Sequence, residues 1–67
     1  MNLQINGKTE SISDSTTLIE LLSLQGIKSI KAVAVELNGE IINHEEFEKV
    51  SLKENDRVEL LTFKGGG

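Results

Sequence analysis

The stretch Thr17-Leu18-Ile19-Glu20-Leu21-Leu22-Ser23-Leu24-Gln25-Gly26 decides the fold. Leu18, Leu21 and Leu22 recur at helical spacing and share one face. Thr17 and Glu20 stand at the two ends of a capping box, threonine side chain to one backbone N–H and glutamate side chain back to the other. Gly26 is the C′ stop that a helix of this kind takes. A helix of about two turns does not persist alone in water, so this one has to dock its leucines on a sheet.

The sheet is written on both sides of it. Upstream, Asn2 to Asn6 alternates polar and apolar, with Leu3 and Ile5 on one face. Asn6-Gly7 is a hairpin turn signal, because both residues tolerate a positive φ. Lys8 to Ile12 returns as a second strand, with Ile12 its firm core residue. Ser13-Asp14-Ser15-Thr16 is a turn rich in capping residues. Downstream, Ala32 to Leu37 is a third strand, Val33, Val35 and Leu37 inward and Glu36 outward. Asn38-Gly39 is a second hairpin signal, followed by a short fourth strand, Glu40-Ile41-Ile42. Asn43 to Lys49 reads as a loop or one helical turn with Phe47 as a plug beneath it. Val50 and Leu52 return to the core, and Lys53-Glu54-Asn55-Asp56 is a charged turn. Arg57 to Phe63 is the last and longest strand.

The order β-β-α-β-β-β predicts an α+β fold with a mixed five-stranded sheet and one main helix packed on one face. This is the ubiquitin-like β-grasp arrangement. Its first and last strands pair in parallel at the sheet centre, and the helix makes the crossover. Residues 1–63 form the domain and residues 64–67 a flexible glycine tail. Such a fold hosts many functions, so function has to come from a site.

Bulk properties exclude several classes. Sixty-seven residues make one small domain, near the lower limit for a self-sustaining core. With no cysteine there is neither a disulfide framework nor a thiolate metal site, and the single His44 cannot build a zinc site alone. Seven basic against eleven acidic residues give a formal net charge of −4. That argues against nucleic-acid binding and anionic membranes, and suits basic partner surfaces. No apolar stretch approaches the roughly 20 residues that span a bilayer, and the N-terminus lacks the pattern of a signal peptide. The expectation is a soluble protein in the cytoplasm.

Gly65-Gly66-Gly67 directly follows the last strand. Glycine loses the most freedom on ordering and brings no side chain to bury, so these residues suit a narrow partner channel rather than a domain core. Four residues beyond Phe63 reach at most about 13–14 Å when extended. An α-carboxyl ionises at roughly pH 3.3–3.7, so the terminal group of Gly67 is an anion at neutral pH, nucleophilic but a poor acyl donor. Leu61 and Phe63 alternate onto the face opposite Val58 and Leu60. Exposed beside the tail, they read as a docking patch. A twist or bulge in the strand would instead bury one of them.

Other chemistry is weakly supported. His44 reads as an exposed loop residue. Glu45, Glu46, Glu48 and Asp56 lack calcium-loop spacing and read as a solvated acidic face. Ser11, Ser13, Ser15, Thr16 and Thr17 have no base to activate a nucleophile and read as caps. The glycines are not a phosphate loop, since no helix or Lys-Ser/Thr follows.

The element order, the length and the ending Val58-Glu59-Leu60-Leu61-Thr62-Phe63-Lys64-Gly65-Gly66-Gly67 together resemble the ThiS family of sulfur carriers for thiamine biosynthesis. Asn6-Gly7, the Thr17–Leu22 helix start, the Val35–Ile42 hairpin and Asn55-Asp56 extend the resemblance over the whole chain. Lys64 stands where members often carry an apolar residue. The resemblance implies a carrier rather than a catalyst, with no cofactor of its own and Gly67 as the modified residue. Gly65 and Gly66 would enter the partner with it, and Leu61 and Phe63 would dock. It implies three partners. A ThiF-like enzyme adenylates the carboxylate with MgATP, a cysteine-derived donor supplies sulfur, and a ThiG-like thiazole synthase takes it from the thiocarboxylate. A MoaD-like subunit of molybdopterin synthase, a ubiquitin-like protein modifier and a TGS-type binding module are the competing readings.

Overall fold

A computed structural model describes residues 1–63. The chain runs β1 (Asn2–Ile5), β2 (Lys8–Ser11), α1 (Leu18–Leu24), β3 (Val33–Leu37), β4 (Glu40–Ile42) and β5 (Arg57–Thr62). Short 3-10 turns occupy Ile30–Ala32 and His44–Glu46. The strands form one five-stranded sheet in the order β2-β1-β5-β3-β4. β5 is central, parallel to β1 and antiparallel to β3. The expected mixed sheet with its central parallel pair is present. The assignment of residues 64–67 to a flexible tail lies outside the described residues.

Helix α1 forms where the sequence places it because both its ends are satisfied. Thr17 and Glu20 make the reciprocal capping box, at 3.3 and 2.9 Å. The N–H groups of Leu18 and Ile19 go to the carbonyls of Val50 and Phe47, at 2.9 and 3.2 Å. The first-turn donors are thus all taken, two of them by the connection between β4 and β5. At the other end Gly26 sits at φ +82°. Its N–H reaches Ser23 O, and that of Ile27 reaches Leu22 O, which is the Schellman arrangement.

The core lies between α1 and one face of the sheet. Leu18, Leu21 and Leu22 of the helix meet Leu3, Ile5, Val33, Val35 and Val58 of the strands, with Phe47 and Leu52 closing the side. Phe47 is fully buried under its turn, as the plug reading required. Some element boundaries differ from the sequence reading. Ala32 belongs to the 3-10 turn before β3, and β2 ends at Ser11. Ile12 and Leu37 are partly rather than fully buried, Ile12 just past the end of β2 and Leu37 the last residue of β3, both at the margin of the core.

Candidate functional site

The last strand divides its side chains between two environments. Val58 is buried and Leu60 packs against the core, while Arg57, Glu59, Leu61 and Phe63 alternate onto the other face. Among the described residues, no helix covers that face. Leu61 is 62% exposed and Phe63 53% exposed. Neither a bulge nor a twist buries them, since β5 stays in register with β3 from Leu37–Val58 to Val33–Thr62. The Phe63 N–H continues the pairing to Ala32 O at 2.8 Å, one residue past the strand.

Neighbouring strands complete the surface. Ala34 lies directly across from Leu61, and Glu36 directly across from Glu59. On the other side of β3, Ile41 is paired with Glu36 and is 76% exposed. Ile42 turns inward, where it packs against the core. Two adjacent isoleucines in a three-residue strand cannot both face the core, so the sequence signals that one of them is outward, and the register decides that it is Ile41. Phe63 itself borders a shallow depression formed with Ala34, Ile41, Asn43 and His44. The His44 Nε2 lies 3.0 Å from Val33 O. A carbonyl only accepts, so this nitrogen carries the proton. The ring also meets Phe47 edge-on, with centroids 5.2 Å apart. His44 therefore ties the turn after β4 to the start of β3, beside Phe63.

Two asparagines hold β5 in place. Asn6 and Asn38 adopt φ of 50° and 52°, each followed by a positive-φ glycine, as the hairpin signals require. Their side chains do more than shape turns. The Asn6 Oδ1 accepts the Leu60 N–H at 2.7 Å, where the parallel ladder with β1 has ended at Ile5–Val58. The Asn38 Oδ1 accepts the Arg57 N–H at 2.9 Å, and its Nδ2 donates to Asp56 Oδ1 at 2.9 Å. Both turns thus grip the strand that leads to the glycines. Spacing alone gave no sign of this, because the two asparagines lie 54 and 19 residues from their partners.

The remaining sequence candidates separate. Asp56 caps its own turn through Lys53 N and binds Asn38, and Glu46 faces Lys49 at 3.7 Å. Among the described residues, no three His, Asp or Glu side chains converge as metal ligands. Gly65, Gly66 and Gly67 lie outside the described residues.

Comparison with known proteins gives a consistent set. The family model of the ThiS family matches residues 3–67. A sulfur carrier protein ThiS from Bacillus subtilis is 39% identical over 66 residues, 97% of this chain and 98% of that protein. A thiazole synthase from Paramagnetospirillum magneticum is 40% identical over 67 residues, and there the chain spans only 20% of the relative's length. Among solved structures, a thiamine biosynthesis protein (ThiS) from Geobacter metallireducens superposes with a TM-score of 0.84 at 42% identity, covering both chains completely.

Proposed function

The chain belongs to the ThiS family, and from that premise we propose that it is a sulfur carrier for thiamine biosynthesis. It is a co-substrate and not an enzyme. Its reactive group is the carboxylate of Gly67. One observation carries the reading: three glycines come two residues after the end of β5, close in sequence to Leu61 and Phe63 on an open sheet face. The face can dock while the glycines, having no side chains, enter a channel.

A ThiF-like adenylating enzyme starts the sequence. A carboxylate oxygen of Gly67 attacks the α-phosphorus of MgATP. A P–O bond forms, pyrophosphate leaves with its electron pair, and the terminus becomes an acyl-adenylate. Magnesium and basic groups of the partner neutralise the phosphate charge. A sulfur nucleophile derived from cysteine then adds to the Gly67 carbonyl carbon. The C–S bond forms as the C–O bond to AMP breaks. When the sulfur arrives as a persulfide, the product is an acyl disulfide, and a second thiol removes the donor's sulfur as a disulfide to leave the thiocarboxylate. Thiazole synthase is the acceptor. Support for it comes from the Paramagnetospirillum relative, in which a segment like this whole chain forms part of a thiazole synthase. That association favours the thiamine branch over a molybdopterin one. The reading places the carrier in the cytoplasm, with its ATP-dependent partner.

Intact mass spectrometry tests this. After incubation with its adenylating enzyme, MgATP and a sulfur donor, the protein should gain a mass that replaces one oxygen by sulfur, mapped to the last peptide. Unmodified carrier from a thiamine-starved native host, or conjugates through Gly67 to lysines of other proteins, would overturn the reading.

A further inference from the structure

The open face carries a feature that stability does not explain. Glu36 and Glu59 are direct cross-strand partners and point to the same side of the sheet. Directly opposed side chains start about 5 Å apart, and like charges placed so repel. Among the described residues neither carboxylate forms an ion pair, the two pairs present being Met1 N–Asp14 and Lys49–Glu46. Neither accepts a hydrogen bond from another side chain among the described residues. Arg57 lies one step further along the same face of β5 and makes no ion pair with either. The two carboxylates are edged by exposed Ile41 on one side and by Ala34 and Leu61 in the next row.

We propose that Glu36 and Glu59 form the charged contact of the docking face and receive a cationic side chain, an arginine, from an otherwise apolar patch on the adenylating enzyme. This rests on the sulfur-carrier reading above and names the chemistry of its first partner. An arginine fits because its planar fork of donors can bridge two carboxylates, whereas a lysine offers a single point charge. Docking removes water from the surrounding Ile41, Leu61 and Phe63, which strengthens the charge-assisted bonds as the complex closes. The repulsion in the free carrier is then relieved only in the complex. The pair thus favours binding over free stability and sets which partner fits, as opposed charges across interfaces do.

The test compares Glu36→Gln/Glu59→Gln with Glu45→Gln/Glu48→Gln in the full chain. The second variant removes the same charge beside Ile19 and Ile30, away from the open face. The readouts are carrier KM in ATP–pyrophosphate exchange with the adenylating enzyme of the same organism, its dependence on ionic strength, and the thermal midpoint. Glu36→Gln/Glu59→Gln should raise KM about tenfold, the scale of lost charge-assisted hydrogen bonds, with kcat at saturation kept. It should flatten the salt dependence and raise the midpoint by about 1–5 °C. The control variant should leave KM within a factor of about two, since remote surface charges act weakly. Equal KM and salt dependence for wild type and Glu36→Gln/Glu59→Gln would overturn the inference and leave the carrier function standing. An equal KM increase in both variants would overturn it in favour of general acidic steering. Wild-type carrier that supports no exchange at all would overturn the function and this inference together.

Discussion

The two faces of the sheet use the same strand for opposite purposes. On the inner face, Val58 of β5 is fully buried with Leu3, Val35, Phe47 and Leu18, Leu21 and Leu22 of α1. On the outer face, three residues further along, Leu61 is left largely in water with Ile41 and Phe63. Apolar burial at about 25 cal/mol per Å² explains the first group. It cannot explain the second, whose area is withdrawn from water only when something else covers it. The alternation of a strand thus separates the residues that make the domain from those that it leaves open on the surface. Substitutions on the two sides should divide accordingly.

The largest effect belongs to the inner face. Phe47→Ala should cost about 3–5 kcal/mol in urea unfolding, because the plug is wholly buried and its site is formed by several elements. For so small a domain that approaches the whole stability, and loss of the cooperative transition is the expected outcome. A loss below about 1 kcal/mol would show that the core does not extend to this turn. Next comes the grip on the strand. Asn6→Ala removes the acceptor of the Leu60 N–H and places alanine at φ 50°. About 1 kcal/mol for the hydrogen bond and 1–2 for the left-handed backbone give roughly 2–3 kcal/mol. Amide exchange at Leu60 should accelerate more than at Val35. Thr17→Ala, which removes one side of the capping box, should cost about 1 kcal/mol.

Much of the inner face was legible in the sequence because it depends on local signals. Leucine spacing, the Thr17–Glu20 box, Gly26 and the two Asn-Gly turns each act within a few residues, and together they give the element order. The parallel pairing of β1 with β5 followed from that order. The alternation of Leu61 and Phe63 was legible too, since it needs only the period of a strand. What could not be read depends on register between distant strands. That Glu59 meets Glu36, that Ile41 joins the same surface, and that Asn6 reaches Leu60 all follow from which residues end up opposite each other. Several registers satisfy the same hydrophobic pattern, and the pattern alone does not choose among them.

The outer face should show the smallest effects on stability and the clearest on docking. Leu61→Lys and Phe63→Glu should each change unfolding free energy by less than about 0.5 kcal/mol, the range of ordinary surface substitutions. Both should raise the carrier KM for the adenylating enzyme while full exchange returns at high carrier concentration. Destabilisation comparable to that of Asn6→Ala would mean that this face belongs to the core after all.

The central claim is that the open face docks the protein while Gly67 carries the chemistry. ATP–pyrophosphate exchange over a range of carrier concentrations tests it most directly, with wild type, Phe63→Glu and a variant lacking Gly67. Deletion leaves the activated carbon one residue short, about 3.5 Å when extended, which exceeds the tolerance of a near-attack geometry. The account expects Phe63→Glu to recover at saturation and the truncated carrier to remain inactive at every concentration, with its unfolding transition unchanged. Normal exchange by the truncated carrier would show that Gly67 is not the reacting residue and would contradict the account.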